Sequence, residues 1–191
     1  MPLKLLPIFI AVVLLATGCA GVQPVLDVHA KPAVGAGYLA GQFSRMKTRG
    51  YAFVIRSVDG GKDFTMALGE DSSLPTEVRD QTVAIALPPG TYSVVQWITY
   101  ATLTKEVLSR RPVTNTVLLK PFTVKAGYVT HLGSHDVSES MQRTTNEYVW
   151  QFAITPRFLT EASVKESFDR SYPNLASLPF GCVLCVGAVQ R

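Results

Sequence analysis

Residues Tyr51–Leu68, YAFVIRSVDGGKDFTMAL, contain two short apolar runs on either side of a glycine-rich turn. In the first run, Tyr51, Phe53 and Ile55 alternate with Ala52, Val54 and Arg56, and the second run continues with Phe64, Met66 and Leu68. A period of two with aromatic and β-branched residues is typical of half-buried strands rather than helices. Asp59-Gly60-Gly61 supplies the turn, so the stretch predicts a β-hairpin.

The same alternation recurs along the chain, as in Val83, Ile85 and Leu87. The run Tyr92–Tyr100 differs because it is apolar on both faces, which predicts a central strand covered on both sides. We count about eight strands between Tyr38 and Pro156, the number typical of a sandwich. The fold prediction is therefore mainly β, an antiparallel two-sheet β-sandwich formed by residues 38–157 with one short C-terminal helix.

Residues 158–191 change character, from alternation to a short helix followed by an apolar tail. Thr160 is suited to cap the helix, Glu161 to its positive end, and Val164 and Phe168 lie four apart on one face. Tyr172-Pro173 predicts its end. The tail Leu175–Val189 is too short and too rich in glycine and proline to span a bilayer. We expect it to add a final strand to a sheet; the alternative is an exposed segment that meets a partner or a membrane.

The amino terminus has the three parts of an export signal: the basic start with Lys4, the apolar run Leu5–Leu15, and small residues before Cys19. Ala16-Thr17-Gly18-Cys19 resembles the lipobox of bacterial lipoproteins. The resemblance implies that residues 1–18 are removed, that Cys19 carries the lipid, and that Ala20 after it directs sorting to the outer membrane, facing the periplasm. Residues 19–37, rich in Pro, Gly, Ala and Val, are then expected to form a lipidated flexible tether.

A second resemblance concerns the sandwich itself. LPPGTYSV (Leu87–Val94), followed by FTVKAGYV (Phe122–Val129), resembles small envelope domains of transthyretin-like or carboxypeptidase-regulatory-like type. In those domains a Pro-Gly-x-Tyr turn precedes a core strand. The motif describes a turn, so it implies a fold and carries little about activity.

Cys182 and Cys185 are the cysteines left besides Cys19. An even pair in an oxidising compartment favours a disulfide, with buried free thiols or a redox pair as alternatives. His131 and His135 could join the two thiolates as a zinc site, since the ligand types and short spacings are met. Ser134, His135 and Asp136 have the residue types of a hydrolase triad, but three consecutive residues cannot form that relay.

The charge of the chain limits the classes of partner. The formal net charge is +4, and losing Lys4 with the signal leaves +4 − 1 = +3, without a long basic run. This small excess weighs against a nucleic-acid partner. We expect a noncatalytic envelope protein without cofactor, which uses its lipid to reach the membrane and binds or supports a protein or cell-wall component. The alternative function is a periplasmic metal-binding or redox protein that uses Cys182 and Cys185 with His131 and His135.

Overall fold

The computed structural model describes residues 22, 24–46, 50–69, 77–143, 145 and 147–186. The predicted signal peptide, residues 1–18, and the predicted lipidation site Cys19 lie outside these residues. Ten strands and one α-helix, α1, are found in the described part. They are β1 Gly37–Met46, β2 Gly50–Ser57, β3 Asp63–Ala67, β4 Glu77–Leu87, β5 Gly90–Tyr100, β6 Val107–Pro112, β7 Phe122–Val124, β8 Val129–Arg143, β9 Tyr148–Arg157, α1 Glu161–Ser171 and β10 Phe180–Cys182.

The strands form two sheets of five. Sheet 1 has the order β10-β8-β1-β4, with β9 also paired to β8, and sheet 2 has the order β3-β2-β5-β6, with β7 also paired to β5. The mainly β, two-sheet sandwich with one C-terminal helix is therefore confirmed.

Two details of the fold prediction differ from the structure. Nine described strands lie within residues 37–157, where about eight were expected, and sheet 1 is mixed rather than antiparallel. Strand β8 runs parallel to β1, and β10 runs parallel to β8. Parallel neighbours need a long crossover connection, and here every strand of sheet 2 lies between β1 and β8 in the chain. A pairing across so large a sequence separation leaves no local signal.

The predicted hairpin is present. Strands β2 and β3 pair antiparallel with Ile55 opposite Phe64, and Gly61 in the turn has φ +62°, a backbone conformation that favours glycine. Phe53, Ile55 and Met66 are fully buried in the core between the two sheets. The alternation in this stretch thus places one apolar face in the interior of the sandwich.

Strand β5 is central, as predicted from its apolar residues on both faces. It pairs with β2, β6 and β7. Val94 and Trp97 lie in the core between the sheets, whereas Ile98 and Tyr100 belong to a separate apolar cluster with Val54. Sheet 2 therefore has apolar side chains on its outer face as well.

Helix α1 has the predicted ends and the predicted buried face. The Thr160 hydroxyl accepts a hydrogen bond from the Ser163 backbone N–H at 3.2 Å, and Val164 and Phe168 are buried. Tyr172 ends the helix, and its hydroxyl accepts a hydrogen bond from the Ala84 N–H of β4 at 3.0 Å. The helix covers the outer face of sheet 1, where it contacts β4, β8 and β10.

Residues 25–29 of the expected tether contact the domain. The Leu26 N–H donates to the Ala84 carbonyl at 2.8 Å, and the Asn174 side chain donates to the His29 carbonyl at 2.9 Å. Val25 contacts the core between the sheets. The composition of this segment favours a flexible tether, but the edge of β4 binds the Leu26 backbone, and the side chains of Val25 and Leu26 pack against core clusters. Val28 and Val34 stay exposed.

The apolar tail adds a short strand to a sheet, as expected. Phe180, Gly181 and Cys182 pair in parallel with Val129–His131 of β8. In the described part of the chain, no helix is both long enough and apolar enough to cross a bilayer.

Candidate functional site around the disulfide and the buried histidines

The two C-terminal cysteines lie between the end of β10 and the first turn of helix α1. Their sulfurs are bonded, with the Cα atoms 5.6 Å apart, within the usual range for a disulfide. Both residues are buried and pack against Val164. The Cys182 N–H donates to a carboxylate oxygen of Glu161 at 2.9 Å. The disulfide thus closes a short loop of the tail beside the start of helix α1. Neither cysteine lies in a helix, unlike those of a typical redox pair.

His131 is fully buried on the side of sheet 1 that faces helix α1. Its ring centroid lies 5.5 Å from that of Phe180, and its Nδ1 accepts a hydrogen bond from the Gly133 N–H at 3.0 Å. Its Nε2 has no hydrogen-bond partner in the structure. Burial lowers the pKa of His131 to about 3, with a smaller contribution from the charge of His135. The imidazole is therefore neutral at pH 7.

His135 points the other way, into the core between the sheets. Its ring stacks on Phe43 at 5.6 Å and meets Phe53 edge-on at 6.1 Å. Neither ring nitrogen has a hydrogen-bond partner in the structure. Burial lowers the pKa of His135 to about 4. An enclosed, neutral imidazole between aromatic rings contributes to packing and cannot reach a substrate on the surface.

A bulge in β8 separates the two histidines. The β1 partners of His131 and Ser134 are Ala40 and Gln42, so β8 carries one extra residue between these pairs. Gly133 in this bulge has φ +84°. A spacing of four in a regular strand would place both side chains on one face, but the extra residue turns the second histidine to the opposite face.

The four candidate ligands do not form the zinc site that their spacing permitted. The two sulfurs are bonded to each other, and the two imidazoles face different sides of sheet 1. Among the described residues, no three or more His, Cys, Asp and Glu side chains are grouped so that they could hold a metal ion.

A polar cluster on sheet 1 has no counterpart in the sequence prediction. Ser44, Asp80 and Arg157 come from β1, β4 and β9, and the Arg157 guanidinium donates to the Asp80 carboxylate and, at 3.2 Å, to the Ser44 hydroxyl. Asp136 lies 3.8 Å from the same guanidinium. Asp80 and Asp136 neutralise Arg157, so these side chains link four strands, β1, β4, β8 and β9, and do not offer a free cation to an anion.

Asp80 has a backbone conformation that is rare outside glycine, with φ +53°. The Asp80 N–H donates to the Ser44 hydroxyl at 3.0 Å. It lies where the pairing of β1 and β4 shifts by one residue, so the bulge and the hydrogen bond together hold this conformation. The residues are far apart in sequence, and no local pattern could have revealed the cluster.

A cleft of about 440 Å³ opens beside this cluster. Residues of the 24–37 segment, β4 and the end of α1 line it, including Val25, Thr82 and Arg170. The volume is within the range of small-molecule sites. Its lining includes both polar and apolar side chains.

Comparison with known proteins does not assign the chain to a family. No family model matches it, and no curated protein matches it. One solved structure, a leucine-rich repeat protein from Bacteroides thetaiotaomicron, is 17% identical with a TM-score of 0.37. The match covers 56% of this chain and 13% of that protein, a likeness too weak to inform the fold or the function.

Proposed function

We propose that this chain is a noncatalytic envelope lipoprotein. Lipid on Cys19 holds the β-sandwich to the bacterial outer membrane. On the periplasmic side, the sandwich binds or supports another envelope component. The observation that carries the proposal is the lipobox-like Ala16-Thr17-Gly18-Cys19, which follows the basic start and the short apolar run Leu5–Leu15. Several acyl chains on one residue hold a protein firmly, whereas a single chain binds reversibly.

The bonded pair Cys182–Cys185 supports an exported location, because disulfides persist in oxidising compartments. Two further features fit a structural role for the side chains concerned. His131 and His135 are buried and neutral at pH 7, so neither is placed for proton transfer with a substrate. Arg157 is neutralised by carboxylates.

Membrane fractionation tests the anchor. We expect the wild-type protein to resist alkaline and high-salt washes and to incorporate an alkyne-labelled fatty acid. The Cys19→Ala variant should stay unprocessed or become soluble and lose the label, whereas Cys182→Ala should keep it. Recovery of Cys19→Ala in the membrane at the mature mass of the wild type would overturn the anchor.

The binding role needs a separate test. Crosslinking in intact cells, followed by mass spectrometry of the membrane-extracted protein, should recover one reproducible envelope protein or cell-wall fragment. Recovery of lipid alone, at several crosslinker lengths, would argue against the binding role while leaving the anchor intact.

A further inference from the structure

The cleft of about 440 Å³ beside helix α1 includes part of the edge of β4 in its lining. Strand β4 pairs with β1 on one side, and in the described part of the chain no other strand pairs with it. The Ala84 N–H donates to the Tyr172 hydroxyl at 3.0 Å, and the Ala84 carbonyl accepts from the Leu26 N–H at 2.8 Å. Both backbone groups of Ala84 therefore point away from β1 and are satisfied on the outer side of the edge.

Thr82 lies two residues before Ala84 on the same edge and lines the cleft. Opposite residues of an antiparallel pair alternate between pairs that exchange hydrogen bonds and pairs that do not. The N–H and C=O of Thr82, like those of Ala84, therefore point away from β1. Among the described residues, no group from outside the strand pair bonds to either of them. The edge of β4 is thus covered at Ala84 and open at Thr82.

The side chain of Thr82 adds a third polar group at this point. Its hydroxyl is buried and has no hydrogen-bond partner in the structure, and the residue as a whole is 8% exposed. Burying a polar group without a hydrogen bond is destabilising, so a ligand that bonds to this hydroxyl recovers free energy. One residue of the cleft therefore offers a backbone donor, a backbone acceptor and a hydroxyl.

The walls of the cleft come from the expected tether and from the end of α1. Val25, Val28 and Pro173 supply apolar side chains. Asp80 and Arg170 also line the cleft, but each is already in an ion pair within the chain. A ligand here is therefore held by apolar contacts and hydrogen bonds more than by charge. The volume suits a short segment and excludes a folded domain.

We propose that this cleft binds a short extended peptide, which pairs its backbone with Thr82 and continues the open edge of β4. The inference deepens the binding role of the proposed function and rests on it. When a peptide adds to a sheet edge, main-chain hydrogen bonds give affinity and contacts to alternate side chains give specificity. A peptide unit supplies both the acceptor and the donor that the backbone of Thr82 requires. The Leu26 N–H, bonded to Ala84, shows that this edge accepts a peptide backbone.

Photo-crosslinking tests the site in the full, lipidated chain in detergent. The probe is a mixture of blocked pentapeptides with varied sequence around a central photo-leucine, a leucine analogue that crosslinks on irradiation. A matched mixture carries N-methyl groups on its central amides, which removes backbone donors and leaves the side chains unchanged. Mass spectrometry after digestion maps the crosslinked positions.

We expect the crosslinks to concentrate in the segments that line the cleft, within residues 25–29, 80–83 and 170–173. The N-methylated mixture should give about tenfold fewer crosslinks, because backbone hydrogen bonds are lost. Thr82→Pro should reduce the yield by about tenfold as well; proline is tolerated where the N–H of an edge strand points outward, and urea unfolding verifies the fold. Thr82→Val keeps the backbone N–H and should reduce the yield only about threefold.

Crosslinks that are absent, or spread evenly over the surface, would overturn the peptide site. Equal yields from the two mixtures would also overturn it, because side chains rather than the backbone would then carry the binding. Either result leaves the binding role intact if crosslinking in cells recovers a partner at other positions. Crosslinks in the cleft, with no partner recovered from cells, would support the peptide site and count against the wider binding role.

Discussion

The pH dependence of stability provides a direct test of the two buried histidines. In the folded chain the pKa of His131 is about 3 and the pKa of His135 is about 4, against an ordinary value of 6.5. Because burial depresses both values, the unfolded chain binds more protons than the folded chain once the pH falls below 6.5. Stability is therefore complete above that pH and is lost as the pH falls toward the folded values.

The size of the loss follows from the proton balance. At pH 5 an unfolded histidine with a pKa of 6.5 is almost fully protonated, whereas both buried rings are still mainly neutral. Lowering the pH from 7 to 5 then costs about 2 kcal/mol for each histidine, or about 4 kcal/mol together. The figure depends mainly on the unfolded pKa, because both folded values lie below pH 5.

Urea unfolding at the two pH values measures this loss. With a slope of about 2 kcal/mol per molar urea, the midpoint should fall by about 2 M between pH 7 and pH 5. His135→Leu, which is close to histidine in volume, should halve this shift because one titrating group is removed. Gln151→Leu, at an exposed position whose side chain does not titrate, should leave it unchanged.

Equal midpoints at pH 7 and pH 5 for the wild-type chain would refute the burial of these rings. Asp63 does not confound the test. Its pKa is lowered from 3.8 by the hydrogen bond with Arg56, so the stability it contributes is lost only at lower pH. An unchanged shift in His135→Leu would locate the titrating group elsewhere.

Three further predictions concern the elements that hold the candidate site. Gly133→Ala should lower the free energy of unfolding by about 1 to 3 kcal/mol, because φ is +84° and a Cβ would lie 3.3 Å from the Leu184 carbonyl oxygen. Gly35→Ala has a similar φ but no atom within 4 Å of the added Cβ, so it should lower the free energy less. Equal losses for the two variants in thermal unfolding would exclude the contact with Leu184. Thr160→Ala should lower the free energy of unfolding by about 1 kcal/mol and reduce the helical signal in circular dichroism, whereas Thr160→Ser should match the wild type. A Thr160→Ala variant as stable as the wild type would contradict the cap. Replacing both Cys182 and Cys185 with serine should lower the free energy of unfolding in urea by about 2 kcal/mol, a small value because the disulfide closes a short loop. An unchanged free energy would mean that the disulfide does not constrain the tail.

The sequence contained the local features of this fold. The hairpin Tyr51–Leu68 follows from alternation and a glycine turn, and helix α1 follows from its cap and the spacing of Val164 and Phe168. In each case the interactions that form the element lie within some twenty residues, so they leave a pattern in the chain. The same applies to Cys182 and Cys185, which are close enough in sequence to suggest a bond.

The parts that the sequence did not reveal depend on distant pairs. The polar cluster joins Ser44, Asp80 and Arg157, which come from three strands that are far apart in the chain. The divergence of His131 and His135 depends on how β8 pairs with β1, because the bulge at Gly133 exists only relative to that neighbour. The residue types of His131 and His135 suggested a metal site. Only the register of β8 against β1 shows that the two side chains point to opposite faces of sheet 1.

Both outer faces of the sandwich are buried, and different described residues pack on each. A sheet with an apolar outer face must bury it against another layer. Sheet 1 is covered by α1, which packs against β10 where the Cys182–Cys185 bond closes the tail, all within the chain itself. Sheet 2 has the comparable apolar cluster around Ile98 and Tyr100, with Val22 from the anchor side packed on it. Val54, Ile98 and Tyr100 are each at most 2% exposed, so the chain buries this second outer face as well as the first.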